Sequence, residues 1–199
     1  MALRTATAPV GNTVGIRTGS LLVITGANLG GKSTLLRALA TAQLMMQAGM
    51  RTPSEQFAAV PVGRILTHWA REEDTGLTHG KLDEELDRME QIVADIGSGD
   101  LLLCSESFAS TNEAEGSQIV MEVTSALVHA GVQVRSVTHL YDFAHAVADD
   151  DSLSAVFLRA SRAGTGRRSF VLEPGPPLLT NHGLDRFDRT FGTRYADLE

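Results

Sequence analysis

The stretch Gly26-Ala27-Asn28-Leu29-Gly30-Gly31-Lys32-Ser33-Thr34 constrains this chain more than any other, because it fills every fixed position of the pattern G-x-x-x-x-G-K-[ST]. The apolar run Leu21-Leu22-Val23-Ile24 before it has the length and composition of a buried parallel strand, and helical spacing begins behind it at Ser33. Strand, glycine-rich turn and helix in that order make a cradle for phosphate. Glycine lets the turn curl so that successive N–H groups face inward, and the helix N-terminus adds partial positive charge. In such a cradle Lys32 reaches the outer phosphates of a nucleotide and Ser33 ligates Mg²⁺. The chain has only two lysines, Lys32 and Lys81, so a lysine at the required place does not follow from a lysine-rich composition. The fold expected around such a loop is α/β, a mostly parallel sheet flanked by helices.

With 199 residues, 43% of them hydrophobic, the chain can bury one sizeable core, and a single domain is expected. The formal net charge of -7 weighs against this chain itself gripping a nucleic-acid backbone, which needs clustered Lys and Arg. The lone Cys104 excludes an internal disulfide. Neither a signal peptide nor an apolar run of membrane-spanning length is present, so a cytoplasmic protein with no membrane partner is expected. Met1 to Pro9 is short and polar, and the expectation is a domain excised from a longer protein.

Taken in order, Asn12 to Ile16 reads as a short strand, and Ser33 to Ala48 as a helix closed by Gly49. Met45 and Met46 on that helix read as core filling. Residues 53–80 read mostly as loop, apart from Val60 to Thr67, a strand interrupted by Pro61. Lys81 to Ile96 is amphipathic, with Leu82, Leu86, Met89, Ile92, Val93 and Ile96 on one face. Asp83, Glu84 and Glu85 sit in its first turns, where the helix dipole favours carboxylates; a solvated face accounts for them better than a metal site does. Leu101 to Cys104 is a second buried strand. The helix after it carries Ser110 and Glu113 at the spacing of a capping box. Val132 to Val137 is a third strand, followed by a short helix from Tyr141 to Val147. Ser154 to Ala160 and Ser169 to Leu172 form a hairpin, and a last helix carries Leu184, Phe187 and Phe191.

Nucleotide hydrolysis needs a group that orients and deprotonates water. Glu106, at the carboxyl end of the second buried strand, stands where ligands bind in open parallel sheets. His139, at the end of the third strand after Thr138, is placed to sense the γ-phosphate.

These residues together resemble the ATPase domain of the MutS mismatch-repair proteins, a branch of the ABC-type ATPases. Ile24 to Arg37 is similar to that family's I-T-G-x-N-x-G-G-K-S-T-x-x-R, including Asn28 inside the loop. Arg64-Ile65-Leu66-Thr67 resembles its R-I-F-T segment, and Ser136-Val137-Thr138-His139 its strand and switch histidine. The resemblance implies ATP and Mg²⁺ as cofactors, Glu106 and His139 as the hydrolytic pair, and residues 12–192 as the domain, between an extension (1–11) and a tail (193–199). Ser33, Ser105 and Glu106 are then the residues nearest the metal. It also implies a homodimer around two ATP, in which Gly80 and Lys81 at a helix start meet the partner's nucleotide, and DNA contact through regions this chain lacks.

Two departures stand out. The family's Asp-Glu at the end of its Walker B strand is here Ser105-Glu106, and its signature S-T-x-M-x-E corresponds to Gly80-Lys81-Leu82-Asp83-Glu84-Glu85. Both leave open a nucleotide-dependent dimerisation switch that does not hydrolyse. A P-loop kinase would need a lid of arginines, whereas Arg159, Arg162, Arg167 and Arg168 read as the surface of a hairpin.

Overall fold

Six strands form one sheet in a computed structural model that describes residues 9–17, 19–26, 30–70, 80–162 and 168–177. The chain order is β1 (Leu21–Gly26), α1 (Lys32–Gln47), β2 (Ile65–Trp69), α2 (Lys81–Asp95), β3 (Leu101–Ser105), α3 (Glu113–His129), β4 (Gln133–Val137), α4 (Tyr141–Asp149), β5 (Ala155–Arg162) and β6 (Arg168–Pro174). Across the sheet the order is β2-β3-β4-β1-β5-β6. Every neighbouring pair is parallel except β5 with β6. This is the expected α/β architecture, closed at one edge by the expected antiparallel hairpin.

The central strands read as continuous apolar runs because helices cover both faces, and alternation then divides each run between two cores. Leu21 and Val23 of β1 join Leu102, Cys104 and Val134 on the face covered by α2, α3 and α4. Leu22 and Ile24 point the other way, with Leu101, Leu103 and Val137, against Leu36 of α1. Each such fully buried aliphatic or aromatic side chain contributes about 1.5–3 kcal/mol of transfer free energy. No described helix is long and apolar enough to cross a membrane.

Several local expectations need correction. Asn12 to Ile16 forms no strand: Asn12 instead clips β6 with its side-chain amide, donating to the Phe170 carbonyl (3.2 Å) and accepting from the Leu172 N–H (2.7 Å). The strand expected at Val60 to Thr67 begins only at Ile65 and runs on to Trp69. Its entry is set by Asp100, whose carboxylate accepts from the Arg64 N–H (2.8 Å), the Arg64 guanidinium (2.8 Å) and the Gly97 N–H (2.9 Å). The cap of α3 is Asn112, not Ser110 with Glu113: Asn112 Oδ1 accepts from the Glu115 N–H at 3.0 Å. Glu113 reaches across to α4 and accepts from the Tyr141 N–H at 2.8 Å. The expected last helix, with Leu184, Phe187 and Phe191, lies outside the described residues.

Candidate functional site

The carboxyl ends of β1, β3 and β4 deliver the site. Because β4 and β5 flank β1 on its two sides, the turn after β1 opens at the middle of the sheet, where adjacent strands leave a crevice. Gly26 ends β1 with φ of +104°, and a Cβ there would stand 2.7 Å from the Ala160 carbonyl oxygen of β5. Only glycine fits that exit. Ala27, Asn28 and Leu29 lie outside the described residues; Gly30 and Gly31 are seen, and Gly31 forms the N-cap of α1.

That cap has no side-chain hydrogen bond. The first N–H groups of a helix lack intrahelical partners, so an uncapped start of a two-strand-flanked helix presents donors suited to an anion. Lys32, only 5% exposed, sits directly after the cap, and its ammonium donates to the Gly26 carbonyl at 2.6 Å, spanning the mouth of the loop. Burial lowers its pKa, and the charge of nearby Glu106 pulls it back up. Ser33 follows, its Oγ 3.4 Å from Ser105 Oγ at the end of β3. Thr34 is the next residue of the helix and is exposed.

Glu106 and His139 meet across the ends of β3 and β4. Glu106 N–H donates to the Val137 carbonyl at 2.8 Å, which extends the β3–β4 ladder by one residue before the chain turns into the left-handed region (Glu106 φ +55°). The turn aims the carboxylate at His139, whose Nδ1 lies 2.7 Å and whose backbone N lies 3.1 Å from Glu106 Oε2. The hydrogen bond to Glu106 is the main reason the His139 pKa rises above its ordinary value. Thr138, buried, turns the chain into α4: its N–H donates to the Ile24 carbonyl (3.1 Å) and its hydroxyl accepts from the Leu140 N–H (3.0 Å).

Lys32, Ser33, Ser105, Glu106 and His139 are therefore brought together. Gly80 and Lys81 are not part of that group; they are exposed at the start of α2, beside β2, with β3 and β4 between that edge strand and β1. Among the described residues no three His, Cys, Asp or Glu side chains cluster as a metal cage. The residues present still fit Mg²⁺ carried in with a nucleotide, because that ion keeps several waters and takes few protein ligands besides phosphate. Ser33 and Ser105 offer hydroxyls and Glu106 a carboxylate.

The acidic run at the start of α2 is not uniformly solvated, as the sequence suggested. Glu85 is 6% exposed, and its carboxylate accepts the Phe108 N–H at 2.6 Å. The spacing held the signal: Leu82, Glu85, Met89, Ile92 and Ile96 follow the apolar stripe, so Glu85 occupies a core position. His68 was also missed, although a histidine two residues after Leu66 on a strand shares that residue's face.

The family profile of MutS domain V matches residues 22–172. Over 138 residues, 69% of this chain and 14% of the relative, the chain is 30% identical to MutS protein homolog 4 of Mus musculus. It is 31% identical to Endonuclease MutS2 of Lactiplantibacillus plantarum over 119 residues, 59% of this chain and 15% of the relative. Human MutS protein homolog 4 is 28% identical over 138 residues. The aligned part is thus a small fraction of each relative, 14% to 15% of its length.

Proposed function

Because the chain belongs to the MutS family, we propose that it is a divergent form of that family's C-terminal, ABC-like ATPase domain, that it binds ATP with Mg²⁺ and hydrolyses it, and that residues 12–192 make up the unit. Members of this family are ATPases. The observation that carries the reading is the Glu106–His139 pair, held at 2.7 Å beyond the strand ends beside Lys32 and Ser33.

Each residue then has a task. The loop from Gly26 to Thr34, including Ala27, Asn28, Leu29, Gly30 and Gly31, wraps the phosphates with backbone N–H groups. Lys32 leaves the Gly26 carbonyl to meet the outer phosphates. Ser33 and Ser105 orient the metal's ligand shell through their hydroxyls. When bound, Mg²⁺ neutralises phosphate charge and helps to align the transferred group. Glu106 has Oε2 engaged by both N–H donors of His139, which leaves Oε1 to accept the proton of the attacking water. His139 holds that carboxylate in place and puts an imidazole near the γ-phosphate.

Two such domains would pair face to face, with Gly80 and Lys81 of one meeting the nucleotide of the other through the helix start of α2. DNA contact belongs to other regions of a longer protein in the cytoplasm, in keeping with the net charge of -7 on this chain. Ser105 favours a second reading. It offers the site no negative charge and pairs with Ser33 by hydroxyl alone, the arrangement expected of a switch that binds ATP, dimerises and does not hydrolyse.

Phosphate release at saturating ATP, with size-exclusion light scattering on the same samples, tests both readings. Glu106→Gln is expected to bind ATP as the parent does, to lose about 10²- to 10⁴-fold in turnover and to accumulate as a nucleotide-bound dimer. Parental turnover in Glu106→Gln refutes Glu106 as the base. A parent that dimerises with ATP but releases no phosphate replaces the enzyme by the switch.

A further inference from the structure

One buried polar cluster lies behind the site and takes no part in the chemistry above. The imidazole of His68, fully buried in β2, has Nε2 at 3.1 Å from the Glu85 carbonyl oxygen and Nδ1 at 2.7 Å from Ser107 Oγ. A carbonyl can only accept, so Nε2 carries the proton and Nδ1 accepts from the Ser107 hydroxyl. Burial, and then the charge of Arg88, push the His68 pKa down to about 4, so the ring is neutral at neutral pH. Its face stacks on Phe108, with ring centroids 5.4 Å apart.

The segment these groups grip is strained. Glu106 and Phe108, on either side of Ser107, both have left-handed φ, +55° and +56°. Bulky residues adopt that conformation only where the surroundings over-determine it. Here β2 supplies His68 to Ser107, α3 packs its backbone at Gly116 against the Phe108 carbonyl, and α2 supplies the Glu85 carboxylate to the Phe108 N–H at 2.6 Å. The last is a short bond to an amide that is otherwise shut away from water, and it is the tie that comes from α2; burial raises the Glu85 pKa, and the bond from the Phe108 N–H opposes that rise. Release of Phe108 would let the chain relax toward ordinary φ, and the first side chain to swing would be Glu106, two residues upstream.

We infer that Glu85, with His68 behind it, is a positioning residue: by accepting the Phe108 N–H it holds residues 105–108 in the strained turn that aims Glu106 at His139. The inference deepens the proposed function and rests on it only where turnover is read. It also ties two parts of the site. α2 begins at Lys81, one turn before Glu85, so a shift of the helix start that is proposed to meet the partner's nucleotide reaches Glu106 through one buried carboxylate.

The test compares Glu85→Leu, which removes the acceptor at similar volume, with Glu85→Gln, which keeps a carbonyl acceptor. Two readouts are taken on the same proteins: kcat and KM for ATP, and the backbone amide spectrum by NMR without nucleotide. In Glu85→Leu, kcat is expected to fall about 10²-fold, as for a catalytic group displaced by an ångström, with KM unchanged. The His139 amide, which donates to Glu106, is expected to leave its parental position while Leu102 and Leu103 of β3 keep theirs. Glu85→Gln is expected to restore the His139 amide and most of kcat. A folded Glu85→Leu with the parental His139 amide overturns the inference, as does a Glu85→Gln that behaves like the leucine variant. If Glu85→Leu does not fold, Glu85→Met takes its place: it keeps the length of the side chain without the oxygen acceptor for the Phe108 N–H, the His139 amide is expected to move in the same direction, and an unmoved amide overturns the inference. A parent without turnover refutes the ATPase reading alone, because the amide readout needs no hydrolysis.

Discussion

Gly26→Ala examines the exit of β1, the point from which the whole site is hung. Two costs follow from the geometry. The backbone there has φ of +104°, outside the regions open to alanine, and such strain costs about 1–3 kcal/mol. The new methyl would also stand 2.7 Å from the carbonyl oxygen and 2.8 Å from the nitrogen of Ala160, both backbone atoms of the neighbouring strand. Neither can rotate away as a side chain would, and overpacking of this kind costs about another 1–3 kcal/mol. Together the loss is about 2–6 kcal/mol, which for a domain of this size lowers Tm by about 2–4 °C for each kcal/mol. Gly49→Ala is the control: its φ is +69°, yet nothing lies within 4 Å of the added methyl, so only the strain remains, about 1–2 kcal/mol. Urea unfolding of parent and both variants gives the values. Gly26→Ala is expected to be the more destabilised and to lose nucleotide affinity as well, because β1 must shift away from β5. A Gly26→Ala variant within about 0.5 kcal/mol of the parent, or no less stable than Gly49→Ala, refutes the close approach of β1 and β5.

Ser105→Asp puts an anion at the strand end where the Ser105 hydroxyl lies 3.4 Å from that of Ser33 and is expected to lower the Mg²⁺ concentration needed for ATP binding; Mg²⁺ titrations at fixed ATP that superimpose for parent and variant would place Ser105 away from the metal. Asp100 governs an acid transition. The Gly97 N–H, followed by Arg64, holds its carboxyl below the usual carboxylate value, so its contribution to stability is present above that value and is lost as pH falls through the depressed one. Urea midpoints measured from neutral to strongly acid pH are expected to converge for parent and Asp100→Asn as pH falls, and parallel curves would contradict the clamp.

Legibility in the sequence followed the range of the interaction. The phosphate loop, its strand and its helix are consecutive in the chain, so glycine chemistry and apolar runs reveal them directly. Glu106 and His139 were each legible as a residue at the carboxyl edge of a parallel sheet, and their contact follows from β3 and β4 being neighbours, which the sequence does not state. Interactions between distant segments left weaker marks. Asn12 uses a side-chain amide, not a backbone ladder, to reach β6, and no periodicity encodes that. Ser110 and Glu113 have the spacing of a cap, but Ser110 is engaged by the Glu85 side chain and Glu113 by α4, and Asn112 caps the helix. Glu85 was misread because its neighbours Asp83 and Glu84 suit the helix dipole, while its own position belongs to the buried stripe. His68 has its partners, Glu85 and Ser107, on two other elements, so only the assembled sheet discloses its role.

The central claim, that the loop around Lys32 holds nucleotide, is tested most directly by calorimetric titration of the parent and of Lys32→Ala with ATP and Mg²⁺. Lys32 is buried at the mouth of the loop beside an uncapped helix start, where its ammonium bonds the Gly26 carbonyl and is proposed to turn to the outer phosphates of a nucleotide. The account predicts saturable binding by the parent and no tight binding by a Lys32→Ala variant whose circular dichroism spectrum is unchanged. Equal affinity in the two folded proteins would contradict it.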